Sequence, residues 1–307
     1  MTMTETTHPA PHLGTPGWRD FLALCKPRVV SLIIFTAIIG MLLSTPGLVP
    51  LETLLIATVG IGLAAASAAA INHVAEYRID ALMARTQHRP LPQGELSIGQ
   101  ALTFALVLGF LSMVLLVVYI NSLTALLTFL SLIGYAVIYT MYLKHATPLN
   151  IVIGGAAGAA PPVLGWTAVT GTLDPHALLL FLIIFAWTPP HFWALAIYRR
   201  TEYAKAKIPM LPITHGAEFT RLHVLLYTFL LVAATLLPFA TYMCGLIYLV
   251  GAMLLNIGFL YYAIRMQFDP RDELAYATFK YSIVYLTALF LVLFVDHYWP
   301  LARAALG

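Results

Sequence analysis

Asn72-His-Val-Ala-Glu-Tyr-Arg-Ile-Asp-Ala-Leu-Met-Ala-Arg-Thr-Gln-His-Arg-Pro-Leu-Pro92 is a polar island in a hydrophobic chain, and the rest of the sequence is arranged around it. At about 100° per residue, Asn72, Glu76 and Asp80 fall within an arc of roughly 80° on a helix, so one face carries an amide and two carboxylates. Arg85 and Arg89 repeat the four-residue step. Oxygen ligands beside guanidinium groups suit a diphosphate carrying Mg²⁺, because the metal takes carboxylate and amide oxygens while the arginines take phosphate oxygens. On a straight helix Asn72 and Asp80 stand about 12 Å apart along the axis, too far to share one octahedral ion at about 2 Å. Either the helix unwinds near Glu76, or metal and phosphate bridge the gap.

Outside the island the chain reads as membrane protein. Of its 307 residues 61% are hydrophobic and 9% charged, where a soluble domain carries roughly 25% charged residues. Apolar stretches of about 18 residues or more recur, each long enough for a hydrocarbon core of about 30 Å. They predict an all-α polytopic membrane protein of about nine spans, near residues 29–48, 52–71, 98–119, 122–142, 149–171, 177–198, 220–240, 243–264 and 279–297. All of the 16 Lys and Arg except Arg303 fall on one side of these spans. This bias predicts a cytoplasmic N-terminus and an external C-terminus in the plasma (inner) membrane. It also accounts for the net charge of +3 without a nucleic-acid partner.

Residues 1–17, rich in Thr, Pro, Gly and His, read as a disordered tail, residues 18–300 as a single transmembrane domain, and residues 301–307 as a short C-terminal tail. Cys25 and Cys244 fall at opposite membrane faces, so no structural disulfide is expected. No span has an Asp, Glu, Lys or Arg near its centre, unlike pumps and ion-coupled transporters, which place ionisable groups near the midplane. The charges gather instead in two long loops, after spans two and six, which are expected to cap one cavity open to the cytoplasm. This favours interfacial chemistry on a substrate with an apolar tail.

Two spans carry unusual segments. Asn150-Ile-Val-Ile-Gly-Gly-Ala-Ala-Gly-Ala-Ala-Pro-Pro-Val-Leu-Gly-Trp166 has small residues that permit close approach by a helix or a flat ligand, and Pro161 and Pro162 should kink it. Helix packing is the simpler of the two readings. In Trp187-Thr-Pro-Pro-His-Phe-Trp193 consecutive prolines are expected to break the helix beside His191, which points to function. The second polar loop, 198–216, supplies Arg199, Arg200, Lys205 and Lys207 with Glu202. Each cation alone reads as an orientation signal; together with the acid and the loop length they form a second island.

These residues resemble the intramembrane prenyltransferases of the UbiA superfamily, and within it the branch that modifies heme. The resemblance rests on Lys26-Pro-Arg28, Asn72 through Asp80, Arg85-Thr-x-x-Arg89-Pro-Leu-Pro92, Asn150-Ile-Val-Ile-Gly-Gly, Trp187-Thr-Pro-Pro-His-Phe-Trp193, Ile208-Pro-Met-Leu-Pro212 and Ser282-Ile-Val-Tyr-Leu286. The acidic motif belongs to the whole superfamily; the Trp187 and Ile208 segments resemble the heme branch. Two departures stand out: Glu76 replaces the usual Asp, and the second acid-rich motif is reduced to Glu202, with Lys207 where a small residue is common.

The resemblance implies a UbiA-type fold and transfer of farnesyl from farnesyl diphosphate to a vinyl group of heme B, with water added. It implies Mg²⁺ on Asn72, Glu76 and Asp80, and Arg85, Arg89, Lys205 and Lys207 around the leaving diphosphate. Tyr139, Tyr142, Trp166, Trp187 and Trp193 are aromatic candidates for facing an allylic carbocation, and Glu202 or His191 for the base that activates water. Lys26, Arg28, Arg199 and Arg200 are candidates for diphosphate or propionates. His73, His88, His191 and His215 are candidates for heme contact, with His191 first if an axial ligand exists. Expected partners are membrane lipids, a heme A synthase or oxidase assembly factors. Two alternatives stay open: a related prenyltransferase acting on another aromatic or tetrapyrrole acceptor, and a non-catalytic heme or lipid carrier.

Overall fold

The computed structural model describes residues 16–269 and 271–306. Of the expected tail, residues 1–15 lie outside the described residues. The remainder is all helical: α1 (Trp18–Leu24), α2 (Pro27–Leu43), α3 (Leu51–Asp80), α4 (Pro90–Gln93), α5 (Ile98–Tyr119), α6 (Ser122–Ile133), a π-helical stretch (Gly134–Leu143), α7 (Lys144–Ala146), α8 (Asn150–Ala159), α9 (Pro161–Thr170), α10 (Pro175–Tyr198), α11 (Arg200–Lys205), α12 (Leu211–Thr214), α13 (Gly216–Ala240), α14 (Leu246–Phe268) and α15 (Asp272–Leu306). Among the described residues, eight helical segments are long and apolar enough to cross a membrane, and the pair α1–α2, bent by 55°, makes a ninth. The protein is a multi-pass membrane protein, and its spans fall where hydropathy put them. The last helix runs on through Leu306, so 301–306 continue α15 and are not a separate tail.

The proline-containing spans behave differently from one another. The helical hydrogen bonding lapses at Ala160, whose own backbone stays right-handed helical, and α9 resumes with Pro161 and Pro162 in its first turn, where their missing N–H groups cost nothing. Pro189 and Pro190, by contrast, sit inside a continuous α10. The expected break beside His191 does not occur; the helix absorbs both prolines within a tightly packed core.

Small residues draw the helices together around α3. Ser67 Oγ donates to the Ala105 carbonyl and Ser112 Oγ to the Gly60 carbonyl, each at 2.7 Å, which ties α3 to α5. A Cβ at Gly40 would meet the backbone of Pro162, and one at Gly165 the backbone of Ala37, so α2 and α9 touch main chain to main chain. Beyond them α10, α13, α14 and α15 enclose a buried hydrogen-bonded chain. Tyr285 Oη donates to Asn256 Oδ1 at 2.7 Å, and Asn256 Nδ2 donates to Thr235 Oγ1 at 2.9 Å.

Candidate active site

Helix α3 stays regular to Asp80, so the unwinding near Glu76 is not seen and Asn72, Glu76 and Asp80 share one face. All three are buried, at 3%, 5% and 3% exposure. Each meets a different cation. Lys26 Nζ donates to Asn72 Oδ1 at 2.5 Å, Lys144 Nζ to Glu76 Oε1, and Arg89 to Asp80 Oδ2 at 2.6 Å. A buried carboxylate demands such a partner. Asn72 Nδ2 donates in turn to Thr140 Oγ1 at 3.2 Å, and Thr140 Oγ1 donates to the Tyr135 carbonyl five residues back. Lys26 reaches Asn72 from the turn between α1 and α2, where its backbone is left-handed with φ of 48°.

Next to this cluster lies a cavity of about 750 Å³. Lys26 and Arg28 line one part of it, and Tyr135, Tyr139, Trp187 and His191 present rings to it. Most of the remaining wall is aliphatic or glycine, including Gly154, Gly155 and Gly158. The small-residue segment thus has two jobs: Gly165 packs helices, and Gly158, with open space where a Cβ would stand, faces the cavity.

The second island packs on the first through side chains. Met83, beyond α3, joins Tyr203, Ile208, Met210 and Trp193 in one buried cluster. Arg199 pairs with Glu202 at 2.8 Å, and the other Glu202 oxygen is buried without a partner among the described residues. Burial pushes the Tyr203 phenol above its usual pKa; Arg85 and Arg199 pull it back, while Glu202 and Glu76 push it further. Its hydroxyl is therefore protonated at neutral pH, within the field of both acidic motifs.

The expected residues divide accordingly. Lys26, Asn72, Glu76, Asp80 and Arg89 come together, and Lys26, Arg28, Tyr139, Trp187 and His191 line the cavity. Tyr142 does not: it is 70% exposed. The i→i+5 turns of the π-helix advance each residue by less than the usual angle of about 100°, which swings Tyr142 away from Tyr139. Trp193 is buried edge-on against Tyr227, outside the cavity wall. Trp166 packs near His176, at the start of α10 and far from its polar end. Arg200 is drawn to Asp272 at the start of α15. Arg85, Lys205 and Lys207 are exposed and lie off the cavity wall. His88 and His215 are on the surface, and His73 is buried with neither ring nitrogen partnered among the described residues.

Lys144, Thr140 and Tyr203 are additions that sequence reading passed over. Lys144 reads as a lone orientation signal, and nothing local to it announces a partner 68 positions away. A useful signal was available for Tyr135, which precedes Tyr139 by one helical turn.

The donor set suits Mg²⁺ in a particular way. Among the described residues no three His, Cys, Asp or Glu side chains converge on one ion site. Hard oxygens on a single helix face, with cations alongside, match an ion that is completed by phosphate oxygens, as Mg²⁺ commonly is.

Comparison with known proteins agrees with this architecture. Residues 33–299 match the model of the UbiA prenyltransferase family. A protein of Methylococcus capsulatus named protoheme IX farnesyltransferase is 60% identical over 298 residues, covering 97% of this chain and 99% of that one. One of the same name from Nitrosococcus oceani is 62% identical over 284 residues, covering 92% and 95%. Among solved structures, one described as digeranylgeranylglyceryl phosphate synthase in membranes superposes with TM-score 0.77 at 21% identity, over 91% of this chain and 98% of the other. A UbiA homolog from Archaeoglobus fulgidus bound to DMAPP and Mg2+ gives TM-score 0.63 at 16% identity, over 89% and 99%. With its length matched nearly end to end by sequence and by fold, the chain belongs to the UbiA prenyltransferase family.

Proposed function

We propose that the protein transfers the farnesyl group of farnesyl diphosphate to a vinyl group of heme B, with addition of water, to give heme O. The observation that carries this reading is an apolar, ring-lined cavity that adjoins a buried cluster of paired acids and cations. The names of the relatives from Methylococcus capsulatus and Nitrosococcus oceani support heme as acceptor. The distribution of Lys and Arg supports an inner-membrane protein with the polar cluster on the cytoplasmic side.

The diphosphate docks against Lys26, Arg89 and Lys144: Arg89 and Lys144 exchange their carboxylate partners, and Lys26 its Asn72 amide oxygen, for phosphate oxygens. Because α3 stays regular, Asn72, Glu76 and Asp80 would hold Mg²⁺ jointly with the diphosphate and not as one three-ligand site, and the metal would supply Lewis-acid neutralisation of the leaving group. The C1–O bond of the farnesyl group breaks, the electron pair leaving with diphosphate. Tyr135, Tyr139 and Trp187 offer π-faces to the allylic cation. The terminal vinyl carbon of heme bonds to farnesyl C1, water adds to the cationic carbon beside the ring, and one proton is released. Trp187 is held for this by its indole N–H, which donates to the Ser282 carbonyl at 2.8 Å.

The test is incubation of purified protein with heme B, farnesyl diphosphate and Mg²⁺, with mass spectrometry of the extracted heme. Gain of one farnesyl group plus one hydroxyl, abolished by EDTA and restored by Mg²⁺, is the expected result. Prenylation of 4-hydroxybenzoate in preference to heme, or heme recovered unchanged, would reject it.

The cavity wall also predicts chain-length selection. Gly158→Leu should fill space that the isoprenoid needs while touching no neighbour at its Cβ. The ratio of kcat/KM for farnesyl over geranyl diphosphate should fall about tenfold, with the thermal midpoint unchanged.

A further inference from the structure

Of the histidines that sequence reading singled out, only His191 lines the cavity, and its surroundings decide which of its nitrogens is free. Ser282, fully buried on α15, places its Oγ 2.6 Å from His191 Nδ1 and 2.6 Å from the Phe279 carbonyl oxygen. A serine hydroxyl has a single proton to donate. The carbonyl can only accept, so the proton goes there and Oγ meets Nδ1 as an acceptor. His191 then carries its own proton on Nδ1, and Nε2 keeps its lone pair.

The ring is also clamped in place. Trp187 stacks on it with centroids 4.1 Å apart, and Phe279 lies at 4.7 Å. Ser282 holds both members of the stack, His191 through its hydroxyl and Trp187 through its carbonyl. Among the described residues Nε2 makes no hydrogen bond, and no carboxylate bonds to the ring to stabilise an imidazolium. A neutral imidazole whose Nδ1–H is anchored and whose Nε2 is open is the form that ligates metals, and the anchoring partner tunes the ligand.

We propose that Ser282 is a positioning residue that fixes His191 as the Nδ1–H tautomer, so that Nε2 binds the iron of the tetrapyrrole acceptor. The inference rests on heme as the acceptor. Ligation would set the height and rotation of the macrocycle in the cavity that Tyr135 and Tyr139 also line.

The experiment uses the purified full chain in detergent, titrated with ferric heme in the absence of farnesyl diphosphate. After reduction, an iron–histidine stretching band should appear by resonance Raman. His191→Ala should abolish the band, with added imidazole restoring it. Ser282→Ala should weaken heme binding by about tenfold and shift the band, whereas Ser282→Thr should keep both near wild type. An unchanged band in His191→Ala, or a Ser282→Ala protein that matches wild type in band and affinity, overturns the proposal. Because no farnesyl transfer is measured, histidine-ligated heme without transferase activity would reject the transferase reading and leave this one standing. Transfer with no histidine ligation would do the reverse.

Discussion

Asp80→Asn is expected to lower kcat/KM for farnesyl transfer by about 10³-fold, the size of effect seen when one preorganised group at a developing charge is removed. Asparagine keeps the shape and one acceptor oxygen for Arg89, so the partly buried guanidinium is not stranded. What goes is the anionic oxygen that Mg²⁺ requires. Initial rates at several Mg²⁺ concentrations, with a melting curve of each protein, separate chemistry from folding. A loss below about threefold, against a nominal factor of ten per 1.4 kcal/mol, would remove Asp80 from the site. A large loss matched by a collapsed melting temperature would make its role structural.

The second large effect concerns packing. Gly165→Leu should destabilise the fold by about 3 kcal/mol or more, at the upper end for overpacked cores. At most crowded sites a neighbouring side chain rotates away. Here the obstruction is the Ala37 carbonyl and the backbone of Met41, which cannot yield unless α2 separates from α9. Since α2 begins at Lys26–Pro27 and borders the cavity, activity should fall in parallel with stability. The measurement is the fraction of monodisperse protein left after graded heating in detergent. If Gly165→Leu melts with wild type and Gly158→Leu does not, the assignment of the two glycines to packing and cavity is reversed.

The sequence was most informative where the physical constraint is local. A span must be apolar for its whole length, so the crossings are visible in hydropathy, and the Asn72–Glu76–Asp80 face follows from helical periodicity alone. Tertiary choices were not legible. Nothing near Lys144 reveals that it neutralises Glu76, because that pairing depends on how the π-helix sits beside α3. The same local widening hid the outward turn of Tyr142, which ordinary α-helical spacing would keep near Tyr139. Proline rules also mislead inside a packed bundle: the pair at 161–162 starts a helix, while the pair at 189–190 is carried within one. The left-handed Lys26 is invisible for another reason, since the sequence offers no glycine there to mark the turn.

The pairing of each island acid with its own cation has an energetic consequence for substrate capture. Lys144 pairs with Glu76 and Arg89 with Asp80, and Lys26, which donates to the neutral Asn72 amide, is the cation left over, so the cluster is nearly self-compensated. A diphosphate carrying one magnesium ion brings about one net negative charge. On the proposed function, loading would bring the ensemble close to electroneutrality, and capture would proceed as a swap between partners already present. Discharge of the cleaved pyrophosphate would then run that swap backwards, with the internal ion pairs re-forming in each turnover.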